Sequence, residues 1–151
     1  SSGGMMTLRM MREHASKFRA YTVAIAGMPA DLTSPSTGPA PLNIYASTTD
    51  PYMPFEGGIA RRGFAVWSNQ QTVDYFAAIN GCIGQPVTRT LPQIVNDGTS
   101  VIYSSYGTCG VDRYQVIGAE HTWPGGTMPG ITTQNLNGTK VMLDFFVRYG
   151  L

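Results

Sequence analysis

The sequence has few charged side chains and no marked excess of either sign. Asp, Glu, Lys and Arg make up 13% of its 151 residues, and the formal net charge is +1. Proteins that bind nucleic acid or anionic membranes usually carry a concentrated basic surface, which this composition does not provide. The sequence also lacks an apolar run of about 18 residues, the length that a membrane-spanning helix needs. We therefore expect no nucleic acid and no membrane among its partners.

Cysteine is scarce, with Cys82 and Cys109 far apart in the sequence. A structural metal site would need about four ligands at short spacings, so the two cysteines do not indicate one. The sequence gives no reason to expect a metal or another cofactor. At this level the two residues are either a disulfide or two buried thiols.

Glycine and proline, in contrast, are frequent, with 18 and 10 residues. Together with many Tyr, Ser and Thr residues they indicate a loop-rich, neutral surface, which is common among secreted hydrolases. The length suits one domain or part of one.

Between the loops, helical and strand patterns alternate. Helical periodicity extends over residues 5–18, 66–80 and 139–150. Short apolar runs predict strands over 21–27, 42–48 and 114–120, and the turn at 96–98 predicts a hairpin between segments 86–95 and 99–107. This order is typical of the α/β class, with a mostly parallel sheet, flanking helices and a small β-hairpin.

Three polar residues occupy positions suited to catalysis at the carboxyl ends of strands. Asp50 follows the second predicted strand, His121 follows the third, and Ser1 would follow a strand outside the chain. A serine hydroxyl is a weak nucleophile until a base takes its proton, and imidazole suits both halves of that cycle. The chain order Ser, Asp, His is the one that α/β-hydrolases use.

The opening residues, Ser1 to Gly4, lead directly into the first predicted helix. Such small residues could come from a linker, but the immediate start of a helical pattern argues against one. A small-residue turn before a helix is also the form of a nucleophile elbow, G-x-S-x-G. Residues 1–3 would be the second half of that motif.

Four stretches resemble the esterase family that groups polyhydroxybutyrate depolymerases with feruloyl and acetylxylan esterases. "SSGGMM" matches its elbow, G-L-S-[SN]-G-G, from the serine onward, and "TTDPYMPFEGG" resembles its aspartate loop. "AINGC" matches an Asn-Gly-Cys that ends a helix, and "IGAEHTWPGG" is very close to the histidine loop G-G-G-H-T-W-P-G-G. The resemblance implies that residues 1–151 are the C-terminal half of an α/β-hydrolase catalytic domain, starting at the nucleophile elbow.

Carried over by position, the resemblance implies a catalytic triad. Ser1 would be the nucleophile, His121 the general base and later the general acid, and Asp50 the group that orients His121. The backbone N–H of Ser2 would be one oxyanion donor. Trp123 either lines the site or packs the loop rich in proline and glycine.

The two cysteines also match family positions. The resemblance implies that Cys82 and Cys109 form a disulfide, which would place the protein in an oxidising compartment, either extracellular or periplasmic.

The sequence departs from the family pattern at two places. Ala46, Ser47 and Thr48 replace its usual His-Gly-Thr, and Glu120 replaces the glycine before the histidine. Glu120 either raises the basicity of His121 or faces solvent.

The expected function is that of a secreted serine ester hydrolase. Its substrate would be a polyester, such as poly-3-hydroxybutyrate, or a feruloyl or acetyl ester of xylan. A small-ester carboxylesterase and a non-catalytic fragment of the fold are the alternatives. The resemblance also implies a fragment of an enzyme roughly twice as long, so strand 21–27 should have an unpaired edge and the isolated chain should be nearly inactive.

Overall fold

A five-stranded sheet forms the centre of the fold in the computed structural model, which describes residues 1–150. In chain order the strands of the molecule are β1 (Tyr21–Ala24), β2 (Leu42–Ser47), β3 (Gly58–Ile59), β4 (Ala65–Val66), β5 (Val87–Thr90), β6 (Ser100–Ser105) and β7 (Val111–Ile117). The main sheet has the order β1-β2-β7-β6-β5, and β3 pairs with β4 separately. The helices are α1 (Ser2–Glu13), α2 (Asn69–Ile79) and α3 (Gly138–Arg148).

The main sheet is mixed. β2 pairs in parallel with β1 and β7, whereas β6 pairs antiparallel with β7 and β5. The expected mostly parallel sheet is therefore not confirmed, while the α/β class and the antiparallel β5–β6 pair are. The reason is the short connection 106–110 between β6 and β7, because a parallel pair needs a crossover of about a dozen residues or more.

The sheet buries apolar residues on both faces. Neighbouring residues of a strand point to opposite faces, and Ile44 and Tyr45 of β2 accordingly lie in two different cores. The first core packs Ile44 with residues of α1 and α2, such as Leu8 and Phe76. Because both faces are covered, all six residues of β2 are buried.

Both ends of α2 follow from local chemistry. The helix begins at Asn69 rather than at residue 66, because Ser68 and Gln71 form a capping box. Its C-terminus has the backbone bonds of a Schellman motif, in which Gly81 N–H donates to Ala78 and Cys82 N–H donates to Ala77. The positive φ of Gly81, 70°, is the backbone conformation that this ending requires.

β1 lies at one edge of the main sheet and pairs with β2 on its other side. The unpaired edge expected for this strand is therefore present within the described part of the chain. None of the helices described in residues 1–150 is long and apolar enough to cross a membrane.

Candidate active site

The carboxyl ends of β2 and β7 bring the aspartate loop and the histidine loop together. These strands are parallel neighbours, and hydrogen bonds continue the contact beyond them: Thr48 N–H donates to Val116 O (2.9 Å) and Thr49 Oγ1 donates to Ala119 O (2.7 Å). As a result, His121 Nδ1 lies 2.7 Å from Asp50 Oδ2.

Both carboxylate oxygens of Asp50 have hydrogen-bonding partners. Oδ1 accepts hydrogen bonds from the backbone N–H groups of Tyr52 (2.7 Å) and Met53 (2.9 Å), while Oδ2 faces His121. The side chain is 1% exposed. A buried carboxylate with these three partners has one orientation, and that orientation points it at the imidazole.

His121 is the more accessible member of the pair, with 20% of its side chain exposed. The ring of Tyr52 lies 5.1 Å from the imidazole between ring centroids and packs against it. Because Nδ1 contacts Asp50, Nε2 is the ring nitrogen left to exchange a proton with another group.

Ser1 lies at the start of α1 and lines a cavity of about 560 Å³ together with Ser2 and His121. Its backbone nitrogen donates to Ala24 O (2.9 Å) at the end of β1. No hydrogen bond joins the Ser1 hydroxyl to His121 in residues 1–150, so the two side chains share a cavity without direct contact of this kind.

The position of Ser1 depends on a close approach of α1 to the end of β1. A Cβ atom at Gly4 would lie 2.6 Å from Ala26 Cβ and 2.9 Å from Ala24 O. Gly3, in contrast, has open space around its Cα. Gly4, the second glycine of "SSGG", is therefore needed for the close packing of α1 against the end of β1.

Most of the remaining wall of the cavity comes from the turn between β3 and β4, which the sequence patterns did not single out. Met53, Ala60 and Phe64 contribute apolar surface, and Arg61 and Arg62 add two guanidinium groups. These residues belong to the aspartate loop or to the turn between β3 and β4. Strands of two residues have no detectable periodicity, so the only available signal was the turn sequence Arg-Arg-Gly at 61–63.

Trp123 and Glu120 flank His121 but contact other groups. Trp123 Nε1 donates to Thr139 Oγ1 (3.0 Å), and its ring packs on Tyr45, so this tryptophan lies in the loop packing and is not among the residues that line the cavity. Glu120 Oε2 accepts from Ile131 N–H (3.1 Å). The carboxylate of Glu120 thus holds the loop 120–131 closed.

Cys82 and Cys109 form a disulfide with a Cα–Cα distance of 5.3 Å, which confirms that prediction. Asn80 reinforces the same junction. Its side-chain amide donates to Ala40 O (2.8 Å) and to Cys109 O (3.0 Å). The Asn-Gly-Cys sequence therefore ends α2, provides one cysteine and anchors the segment before β2.

No group of three or more His, Cys, Asp or Glu side chains in residues 1–150 is arranged to hold a metal ion. Asp50 and His121 face each other as a carboxylate–imidazole pair, an arrangement that suits His121 to general acid–base chemistry.

The sequence is similar to that of a protein named as an esterase. No protein-family model matches the sequence. The chain is 31% identical over 176 residues to the protein named "Putative esterase NocK" from Nocardia uniformis subsp. tsuyamanensis. The match includes 97% of this chain and 49% of that protein, so the chain spans about half the length of the curated relative. This similarity supports an esterase family, and the relative's name specifies no substrate.

Proposed function

We propose that the protein to which this chain belongs is a serine ester hydrolase that works through an acyl-enzyme. The observation that carries the proposal is the 2.7 Å contact between His121 Nδ1 and Asp50 Oδ2, with His121 on the same cavity as Ser1. The similarity to an esterase over nearly the whole chain supports the same chemistry.

In the first half of the reaction, Ser1 Oγ attacks the carbonyl carbon of the ester while His121 Nε2 accepts the hydroxyl proton. Asp50 stabilises the resulting imidazolium and keeps Nε2 directed at the cavity. The tetrahedral intermediate then expels the alcohol, which receives the proton from Nε2. In the second half, water gives a proton to Nε2 and attacks the acyl-enzyme, and collapse releases the carboxylic acid and restores the Ser1 hydroxyl.

The start of α1 supplies electrostatic stabilisation for the intermediate. The Ser2 N–H lies in the first turn of the helix, where backbone donors lack partners within the helix and the helix dipole is positive. We assign this N–H to the oxyanion that forms on the carbonyl oxygen.

For the substrate, we propose the ester classes that the histidine loop "IGAEHTWPGG" suggests by resemblance: a hydroxyalkanoate polyester, or a feruloyl or acetyl group on xylan. The cavity volume, about 560 Å³, is within the usual range for small-molecule sites and would admit one end of such a chain. A small-ester carboxylesterase would use the same residues. Release of 3-hydroxybutyrate, ferulate or acetate from the corresponding polymers distinguishes these substrates.

We also propose that the protein acts in an oxidising compartment, outside the cell or in the periplasm. The Cys82–Cys109 disulfide supports this location, because such bonds persist where thiols are not kept reduced.

The test is turnover of p-nitrophenyl acetate by the full-length protein and two serine variants. Ser1→Ala should abolish the burst and the steady-state turnover, whereas Ser2→Ala should retain both because it keeps the backbone N–H. Equal activity of Ser1→Ala and the unmodified protein would refute the proposal. Absence of turnover in a folded full-length protein would favour the non-catalytic alternative.

A further inference from the structure

The cavity beside His121 has an unbalanced charge. Arg61 and Arg62 line it, and none of the residues lining it is Asp or Glu. Neither arginine takes part in a salt bridge in the described part of the chain. Arg61 and Arg62 therefore place positive charge beside the position where the substrate would bind, with no carboxylate among the lining residues.

The turn that carries these arginines is fixed by its own backbone. Ala60 N–H donates to Phe64 O (2.9 Å), and Gly63 N–H donates to Ala60 O (2.8 Å). Arg61 N–H donates to Tyr52 O (3.0 Å), which ties the turn to the aspartate loop. The arginines are thus held at the cavity by backbone contacts, while their side chains remain exposed to solvent.

Arg61 is also linked to the proposed base by stacking. Its guanidinium carbon lies 4.7 Å from the centre of the Tyr52 ring, and that ring packs on His121 at 5.1 Å. Arg61 therefore has a packing role, whereas Arg62 makes no contact of this kind with any of residues 1–150. Its charge is available to a ligand.

The start of α1 and the Asp50 carboxylate also contribute to the electrostatic field at the cavity. The first turn of α1, which begins at the cavity, contains no acidic residue and adds the positive end of the helix dipole. The Asp50 carboxylate is buried and already accepts three hydrogen bonds. An anion in the cavity would meet positive charge from the turn and from the helix.

We propose that this cavity selects esters that also carry a carboxylate, which Arg62 binds with support from Arg61. The inference rests on the ester hydrolase proposed above and narrows its substrate class. The planar guanidinium donates two parallel hydrogen bonds to a carboxylate, a geometry that a neutral ester cannot use. The ester carbonyl would then lie over Ser1, with the carboxylate at the turn 60–64.

The test compares matched anionic and neutral esters with the full-length protein. One pair places the charge on the acyl side: mono-p-nitrophenyl glutarate and its methyl ester. The other places it on the alcohol side: 4-acetoxybenzoate and its methyl ester. For at least one pair, Arg62→Gln should lower the ratio of kcat/KM for the anionic ester to that for the neutral ester by about tenfold. The neutral ester has no carboxylate for Arg62 to bind, so its kcat/KM should fall much less than that of the anionic ester.

A control variant and a salt series separate this effect from general changes of charge. Arg89→Gln removes an exposed arginine whose guanidinium lies 5.3 Å from the ring of Tyr103, a contact like that of Arg61 but on the edge strand β5. It should leave the ratio unchanged. In the unmodified protein, raising the ionic strength should lower the ratio, because an exposed ion pair is screened.

A ratio unaffected by Arg62→Gln and by the double variant Arg61→Gln/Arg62→Gln, in both ester pairs, would overturn the proposal. Calorimetric titration with glutarate provides a readout that does not need turnover. Weaker glutarate binding by Arg62→Gln supports the carboxylate site, and identical binding contradicts it. If none of the esters is hydrolysed, the proposed function is wrong. The glutarate titration then still tests whether Arg62 binds a carboxylate.

Discussion

His121 Nδ1 and Asp50 Oδ2 lie 2.7 Å apart although 71 residues separate the two in sequence. The contact exists because β2 and β7 are parallel neighbours, so the loops that follow them leave the sheet at the same edge. The second oxygen of Asp50 is occupied by backbone N–H groups of its own loop. The aspartate thereby determines which nitrogen of His121 faces the cavity.

Under the proposed mechanism, replacing Asp50 by asparagine should reduce ester hydrolysis by about 10⁴-fold, as loss of the orienting carboxylate does in a serine protease. The amide oxygen can still accept the loop hydrogen bonds from Tyr52 and Met53, so the protein should fold. Measurement of kcat and of the thermal midpoint separates the two effects. Asp74→Asn, on the exposed face of α2, is the matched control and should keep its activity. Comparable activity of the two variants would contradict the role given to Asp50.

The charge of Glu120 should contribute little to catalysis. Its carboxylate accepts a hydrogen bond from Ile131 N–H, and the amide oxygen of Glu120→Gln can accept the same bond. We therefore expect kcat/KM of this variant within about twofold of the unmodified value, which corresponds to well under 1 kcal/mol. A large fall in kcat with an unchanged thermal midpoint would mean that the Glu120 charge acts on His121.

Gly4→Ala should destabilise the fold by about 1–3 kcal/mol, because the new methyl group would overlap Ala26 and the Ala24 carbonyl. Gly3→Ala is the control in the same helical turn. With open space around it, this change should be neutral or stabilise by up to about 1 kcal/mol. Urea titration of both variants gives the comparison. Equal stabilities would mean that α1 does not need its close approach to β1.

Removing the disulfide should lower the free energy of unfolding by about 3 kcal/mol in the double variant Cys82→Ala/Cys109→Ala. The cost arises because an unfolded chain without the bond gains conformational entropy. A reducing agent should destabilise the unmodified protein by a similar amount and leave the double variant unchanged. If the reducing agent also destabilised the double variant, the loss of stability could not be assigned to the disulfide.

The sequence predicted best those features that depend on short, local residue patterns. Strand β2 and the core-facing residues of α2 follow from apolar runs and helical spacing, and the Asn-Gly-Cys stretch indicated the end of α2. The approach of Asp50 to His121 could also be anticipated, because residues after parallel strands meet at one edge of a sheet. The disulfide was inferred from resemblance and confirmed.

Other features depend on tertiary contacts that no local pattern reports. The antiparallel pairing of β6 with β7 follows from a short connection whose importance appears only once the strand boundaries are known. The turn with Arg61 and Arg62 reaches the cavity through backbone contacts with Tyr52 and Phe64. Similarly, the direction of the Glu120 carboxylate was open until the position of Ile131 was known.

Ser1 is the residue that would carry the acyl group in the proposed mechanism. The decisive measurement is labelling of the full-length protein with a fluorophosphonate, followed by mass spectrometry of its peptides. We predict one adduct, on Ser1, formed in step with the loss of ester hydrolysis and absent from His121→Ala. An adduct on a different residue, with Ser1 unmodified while hydrolysis is lost, would contradict the proposed nucleophile and the mechanism built on it.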